Sequence, residues 1–135
     1  MRAMLDKNTI IGILISSASM ELNIQIDERV PIGYFVRCRL NIREDEKLLK
    51  WLQRDLLSFF NVESTLLLSE STQRNKPILR ISGVKNMKNL IEQVPTHLQQ
   101  LNNWGNFCMC INILYDREHK TLEGLEKLMK IKGLI

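Results

Sequence analysis

One strand-like run offers the most definite chemistry in this sequence. In "YFVRCRLNIR", Arg37, Arg39, Asn41 and Arg43 fall at every second position. Alternate residues of a strand share a face, so three guanidiniums would stand in a row about 7 Å apart, with the gap at Asn41 twice that. Guanidinium forks take phosphate oxygens and base edges alike. Asn23, Gln25, Gln73, Arg74, Lys76 and Arg80 lie on other strand-like or turn segments and could extend such a surface. Cations that hold a backbone, mixed with amides that read edges, suit a nucleic acid. An ordinary solvated sheet face is the competing reading, and Glu21 and Asp27 dilute the positive field.

Other chemistry is poorly represented. The three cysteines, Cys38, Cys108 and Cys110, form no C-x-x-C pair, and the histidines His97 and His119 lie far apart. That pattern fits neither a zinc site nor a disulfide framework, and implies buried thiols in a reducing compartment. No nucleophile elbow or phosphate-cradling glycine loop occurs. His119 reads as structural, and Trp51 and Trp104 read as core or interface anchors. No cofactor is expected.

The chain has 135 residues, 44% hydrophobic and 25% charged, the balance of one ordinary globular domain spanning residues 1–135. Nineteen lysines and arginines against 15 acids give a net charge of +4, a mild pointer to a polyanionic partner. The opening "MRAMLDKNTIIGILISSAS" has the basic, apolar and small residues of a signal peptide. Asp6 interrupts the charged part, and "IIGILI" is far too short to span a membrane. No membrane association is expected.

The elements that would position these residues follow from periodicity. A helix is predicted over about 8–19, capped by Asn8 or Thr9. "MELNIQIDE" alternates, with Leu22, Ile24 and Ile26 inward; in the next strand Val36, Cys38, Leu40 and Ile42 face the core. "DEKLLKWLQRDLLSFF" switches to helical spacing through Leu48, Leu49, Leu52, Leu56 and Phe59, with Asp45 as cap. Two strands, "STLLLSES" and "KPILRISG", flank a polar turn, and "KNMKNLIEQV" is a helix stopped by Pro95. "THLQQLNNWGN" carries no clear period. Phe107, Cys110, Ile111, Leu114 and Tyr115 then mark one helix, and Thr121 caps a last one carrying Leu122, Leu125, Leu128 and Met129. Two local hairpins imply an α+β fold, an antiparallel sheet with helices on one face.

This order, with "IIGILISSASM" at its head, resembles the LAGLIDADG homing endonuclease family, Gly12 matching the motif glycine. "GYFVRCRLNIREDEKLLKWLQRDL", "KPILRISGVKNMKNLIE" and "REHKTLEGLEKLMKIKG" are similar to further family segments, the last to organellar members. The resemblance implies an αββαββα unit with a four-stranded antiparallel saddle sheet over nucleic acid, followed by C-terminal helices. It also implies pairing of two units through their motif helices. Gly12 and Ser16, four apart, are the small residues that would let two helices approach, as a homodimer or with a partner protein.

The same resemblance exposes two departures. Alignment on Gly12 places Ser17 where the family has the acid that binds a divalent metal, Ile15 at the earlier acidic position and Ala18 at the final glycine. A hydroxyl is a poor magnesium ligand. Glu21 is the nearest carboxylate along the chain. Near the next helix, Asn103 stands where the family has a lysine, and Asn106 precedes Phe107 in place of an aspartate. The expectation is a nucleic-acid-binding protein with no catalytic residues and no bound metal, RNA favoured over DNA, in an organelle (mitochondrion or chloroplast). It would serve as a splicing factor or ribonucleoprotein component. The alternatives are an active, Mg2+-dependent homodimeric endonuclease using Glu21, and an interaction module whose sheet is covered by protein.

Overall fold

The computed structural model describes residues 4–101 and 104–135. Helix α1 (Lys7–Ser17) runs directly into strand β1 (Ala18–Ile26), which a turn joins to β2 (Tyr34–Ile42). Helix α2 (Glu46–Phe60), strands β3 (Thr65–Leu67) and β4 (Ile78–Ile81) and helix α3 (Val84–Gln93) follow. The chain ends in α4 (Trp104–Tyr115) and α5 (Leu122–Lys132), each preceded by a short 3-10 turn. The strands form one antiparallel sheet in the order β1-β2-β4-β3.

Pairing across the sheet is uneven. β1 and β2 match along their whole length, from Ala18 opposite Ile42 to Ile26 opposite Tyr34. β4 meets β2 only at Leu40, Asn41 and Ile42. Inward residues Leu22, Cys38, Leu40, Ile42, Leu79 and Ile81 join residues of all five helices in one hydrophobic core. Among the described residues, the other face carries no helix in that core. Ile26, expected inward, is 78% exposed, because the alternation continues past the region the helices cover.

Helix α2 shows what holds the helices down. Leu49, Leu52, Leu56 and Phe60 recur at helical spacing and are buried. Each such side chain contributes about 1.5–3 kcal/mol, whereas its surface pair Glu46–Lys50 contributes only about 0.3–0.5 kcal/mol. Packing therefore decides the helix. Leu48 and Phe59 sit half-buried at the margins of that stripe. Asp45 caps the start by accepting from the Lys47 amide, and Asn61 ends it in the left-handed region. Asp55 on this helix is buried and accepts from the Met4 and Leu5 amides, so α2 anchors the segment that leads into α1.

Three local expectations change. Helix α1 is capped by Asp6, whose carboxylate accepts from the Thr9 amide, and not by Asn8 or Thr9. Tyr115 and Leu122, counted on buried stripes, are exposed. The unassigned polar stretch forms a 3-10 turn at Leu98–Gln100, and α4 begins earlier than expected, at Trp104. Thr121 caps α5 as expected, accepting from the Gly124 amide. Gly124 is obligatory there, since a Cβ at that position would lie 2.0 Å from the Glu118 carbonyl oxygen. At the other end of α5, the Lys132 ammonium donates to the Leu22 carbonyl and caps part of the edge of β1.

Candidate nucleic-acid interface

The strand register places most of the predicted polar residues on the helix-free face. Ser19 lies opposite Asn41, Glu21 opposite Arg39, Asn23 opposite Arg37 and Gln25 opposite Phe35. Arg80 of β4 lies beside Asn41. The residues share a face because each strand alternates, but they are not equivalent.

Arg39 forms an ion pair with Glu21 at 2.5 Å. The guanidinium holds the Glu21 carboxyl below the usual range against the opposing effect of partial burial, with help from Arg80 and Arg37. Asn41 is only 3% exposed, because the Arg80 guanidinium closes over it and donates to its side-chain oxygen at 3.1 Å. It positions Arg80 and, unlike Arg37 and Gln25, is buried, and so is less open than expected. Arg43 donates to Ser19 and pairs with Glu70, and Arg74 also pairs with Glu70 at 3.3 Å. Glu70 thus draws the β3–β4 connection toward the end of β2. Gln73 and Lys76 lie exposed on that connection. The side chains of Arg37, Asn23 and Gln25 make no hydrogen bond or ion pair among the described residues, and Arg37 acts on Glu21 only through its field.

The end of α1 forms a second locus. The Ser17 hydroxyl donates to a Glu44 carboxylate oxygen at 2.7 Å. Pairing of Ala18 with Ile42 creates this contact, since it brings the residues just before β1 beside those just after β2. Glu21, by contrast, is committed to Arg39 on the sheet. Asp45 and Glu46 line the same shallow hollow as Glu44, but Asp45 caps α2 and Glu46 pairs with Lys50. No group of three or more histidines, cysteines, aspartates or glutamates among the described residues could hold a metal ion. A hard divalent cation needs several oxygen ligands, and one carboxylate beside a hydroxyl does not fit it. Asn103 lies outside the described residues.

On the side of α1 away from the core, Gly12 and Ser16 are exposed. A Cβ at Gly12 would meet nothing within 4 Å. Ser16 folds its hydroxyl back onto the Gly12 carbonyl at 2.8 Å, leaving a smooth surface. The opposite side is fixed by Ile10 and Leu14, both fully buried. The indole of Trp104 donates to the Leu14 carbonyl at 3.1 Å, tying the same helix to α4. All three cysteines are free and buried, and burial pushes the Cys38 and Cys110 thiols up to about 12. They are inert packing groups. Burial also lowers His119, with Lys120 and Arg117 adding to the effect, so it is neutral near pH 7.

Sequence reasoning missed Phe35, Glu44 and Glu70. The first was legible, since Phe35 has the same parity as Arg37. The other two reach the site only through strand register and loop path.

No family model and no curated protein matches the chain. Solved structures do. The homing endonuclease I-TnaI is 19% identical with a TM-score of 0.73, covering 94% of this chain and 85% of its own. The archaeal intron-encoded homing endonuclease I-Vdi141I, complexed with DNA, is 17% identical with a TM-score of 0.72, covering 92% and 77%. The I-LtrWI LAGLIDADG homing endonuclease, bound to target DNA, is 19% identical with a TM-score of 0.76. All of this chain matches, over 45% of that one. The chain therefore spans most of the first two and under half of the third.

Proposed function

From the LAGLIDADG homing-endonuclease fold as premise, we propose that this chain is a nucleic-acid-binding protein that has lost strand cleavage. The observation that carries the reading is a contrast within one structure. The sheet face keeps an exposed Arg37 that forms no ion pair among the described residues, with Asn23 and Gln25 beside it, while the helix end carries Ser17 where the resemblance puts a metal-binding acid. Arg39, Arg80, Arg43, Arg74, Lys76 and Gln73 supply further cations and amides around that face. Binding is dominated by phosphate contacts, and structured RNA is the favoured ligand, in a splicing or ribonucleoprotein role within an organelle. The similarity of the terminal segment to organellar members supports that location. The exposed side of α1, with Gly12 and Ser16, is the surface for a second copy or a partner protein.

A second reading has one observation in its favour. Glu44 brings a carboxylate to the end of α1, and pairing of two copies through that helix would bring two such carboxylates to one place. An active endonuclease would then use Glu44 and not Glu21.

One experiment separates the readings. The purified protein is incubated with magnesium or manganese and a library of duplex DNA sites, and in parallel the nucleic acid that accompanies it from its native source is sequenced. A discrete structured RNA with no cleavage supports the first reading. Reproducible double-strand cuts overturn it.

A further inference from the structure

The far end of the β1–β2 hairpin carries a set of side chains that phosphate binding alone does not use. Past Leu40, β2 has no β4 partner, so Leu22–Ile26 and Tyr34–Cys38 form a two-stranded ribbon. On its helix-free face stand two successive cross-strand pairs, Asn23 opposite Arg37 and Gln25 opposite Phe35. Their side chains have no hydrogen bond or ion pair among the described residues. Of the ionic pairs near this face, Glu21–Arg39 and Arg43–Glu70 lie toward the other end, and Asp27 pairs with Arg29 in the turn just beyond Gln25.

Phe35 is the anomaly in that set. It is 45% exposed, a phenyl ring among the polar side chains on the outer face of the ribbon. Directly opposite positions lie about 5 Å apart and successive same-face positions about 7 Å apart. The four side chains therefore span an area close to one nucleotide. Each offers a different contact: a ring face for a base, two amides that both donate and accept for base edges, and a guanidinium for a phosphate. In an intact duplex both faces of every interior base are already stacked. A ring can add stacking only to a base that is unpaired or at an end.

Resting on the binding function proposed above, we propose that Phe35, Gln25, Asn23 and Arg37 form a subsite for one unpaired nucleotide. The base stacks on Phe35 and its edge meets Gln25 or Asn23. Arg37 takes the adjoining phosphate. The sheet then recognises a loop or bulge in a folded strand and discriminates against uninterrupted duplex.

The test is fluorescence anisotropy at fixed low salt with two probes of equal length. One is an RNA hairpin with a uridine-rich loop, the other a fully paired duplex. Wild type should prefer the hairpin. Phe35→Ala should lose about five- to a hundredfold on the hairpin and leave the duplex unchanged, while Phe35→Trp retains the preference. Loop nucleotides made abasic one at a time should reveal one position whose loss equals that of Phe35→Ala and adds nothing in that variant. A DNA hairpin with the same loop separates the sugar: equal binding assigns the base alone, weaker binding adds the 2′-hydroxyl, and both support the subsite. If Phe35→Ala binds both probes like wild type, or loses both equally, the subsite is overturned. If Arg37→Glu abolishes binding in that case, the wider binding function stands and the subsite alone falls. If neither probe binds wild-type protein, both fall together.

Discussion

Ser17 and Glu44 share a hydrogen bond of 2.7 Å although they belong to different elements. The bond holds a carboxylate at the end of α1, where among the described residues no group of three or more acids, histidines or cysteines could hold a metal ion. Its removal should cost little, since the pair is exposed: Ser17→Ala is expected to lower stability by less than about 1 kcal/mol. Cleavage of duplex DNA in magnesium or manganese should remain at background for wild type and variant alike. Cutting by wild type that vanishes in Glu44→Gln would instead establish the endonuclease reading.

Arg37 and Arg39 should behave differently despite their identical chemistry. Arg37 is exposed and forms no ion pair among the described residues, whereas Glu21 already neutralises Arg39. Arg37→Ala should reduce the salt slope of nucleic-acid binding by about one. Arg39→Ala should change it less, and Glu21→Gln should strengthen binding by freeing a guanidinium. Titrations over a range of salt concentrations measure all three.

The Glu21 pair also carries a pH signature. Its carboxyl is held below the usual 4.5 by Arg39, so the folded state binds this proton less readily than the unfolded chain. The stabilisation is fully present above pH 4.5 and is lost as pH falls through the lower folded value. Denaturant titrations at descending pH should show Glu21→Gln losing stability less steeply than wild type in that acid window.

Gly12 separates folding from association. With open space around its Cβ position, Gly12→Ala should stabilise the single chain by about 0.5–1 kcal/mol through helix propensity. The same methyl should weaken pairing through α1. Thermal melts and sedimentation velocity would show the two effects with opposite sign. A variant that is stabilised but associates unchanged would remove this face from the interface.

Gly124 is the opposite case. The nearest atom to an added Cβ is backbone, the Glu118 carbonyl oxygen, which cannot turn aside as a side chain would. Gly124→Ala should destabilise by about 1–3 kcal/mol. It should also loosen α5, which hydrogen exchange of the Leu125 and Leu128 amides would detect.

How much of this was legible depended on the range of the interaction. The alternation of β1 and β2 assigned the faces because a period of two is local, but it did not show that Ile26 lies beyond the helices and is exposed. The apolar spacing of α2 did the same for Leu49, Leu52 and Leu56. The α1 cap went to the wrong residue since "DKNT" offers three cap-forming side chains in four positions, and only the helix start selects Asp6. Asn41 was placed on the right face, yet its burial under Arg80 needed the β2–β4 register. The Trp104–Leu14 and Ser17–Glu44 contacts join distant stretches of chain, and no local pattern announces them.

The short reach of β4 has a consequence for how such a protein can change. Asn23, Gln25, Phe35 and Arg37 sit where the sheet is two strands wide, and Gln25, Phe35 and Arg37 are exposed. Substitutions there forfeit little core packing, so mutation can drift through the recognising surface while the fold's stability reserve stays intact. Asn41, buried in the wider part of the sheet, and Arg80, half-buried and hydrogen-bonded to it, lack that freedom. Evolution of a new target would therefore be expected to begin at the hairpin tip and to reach the centre of the sheet last.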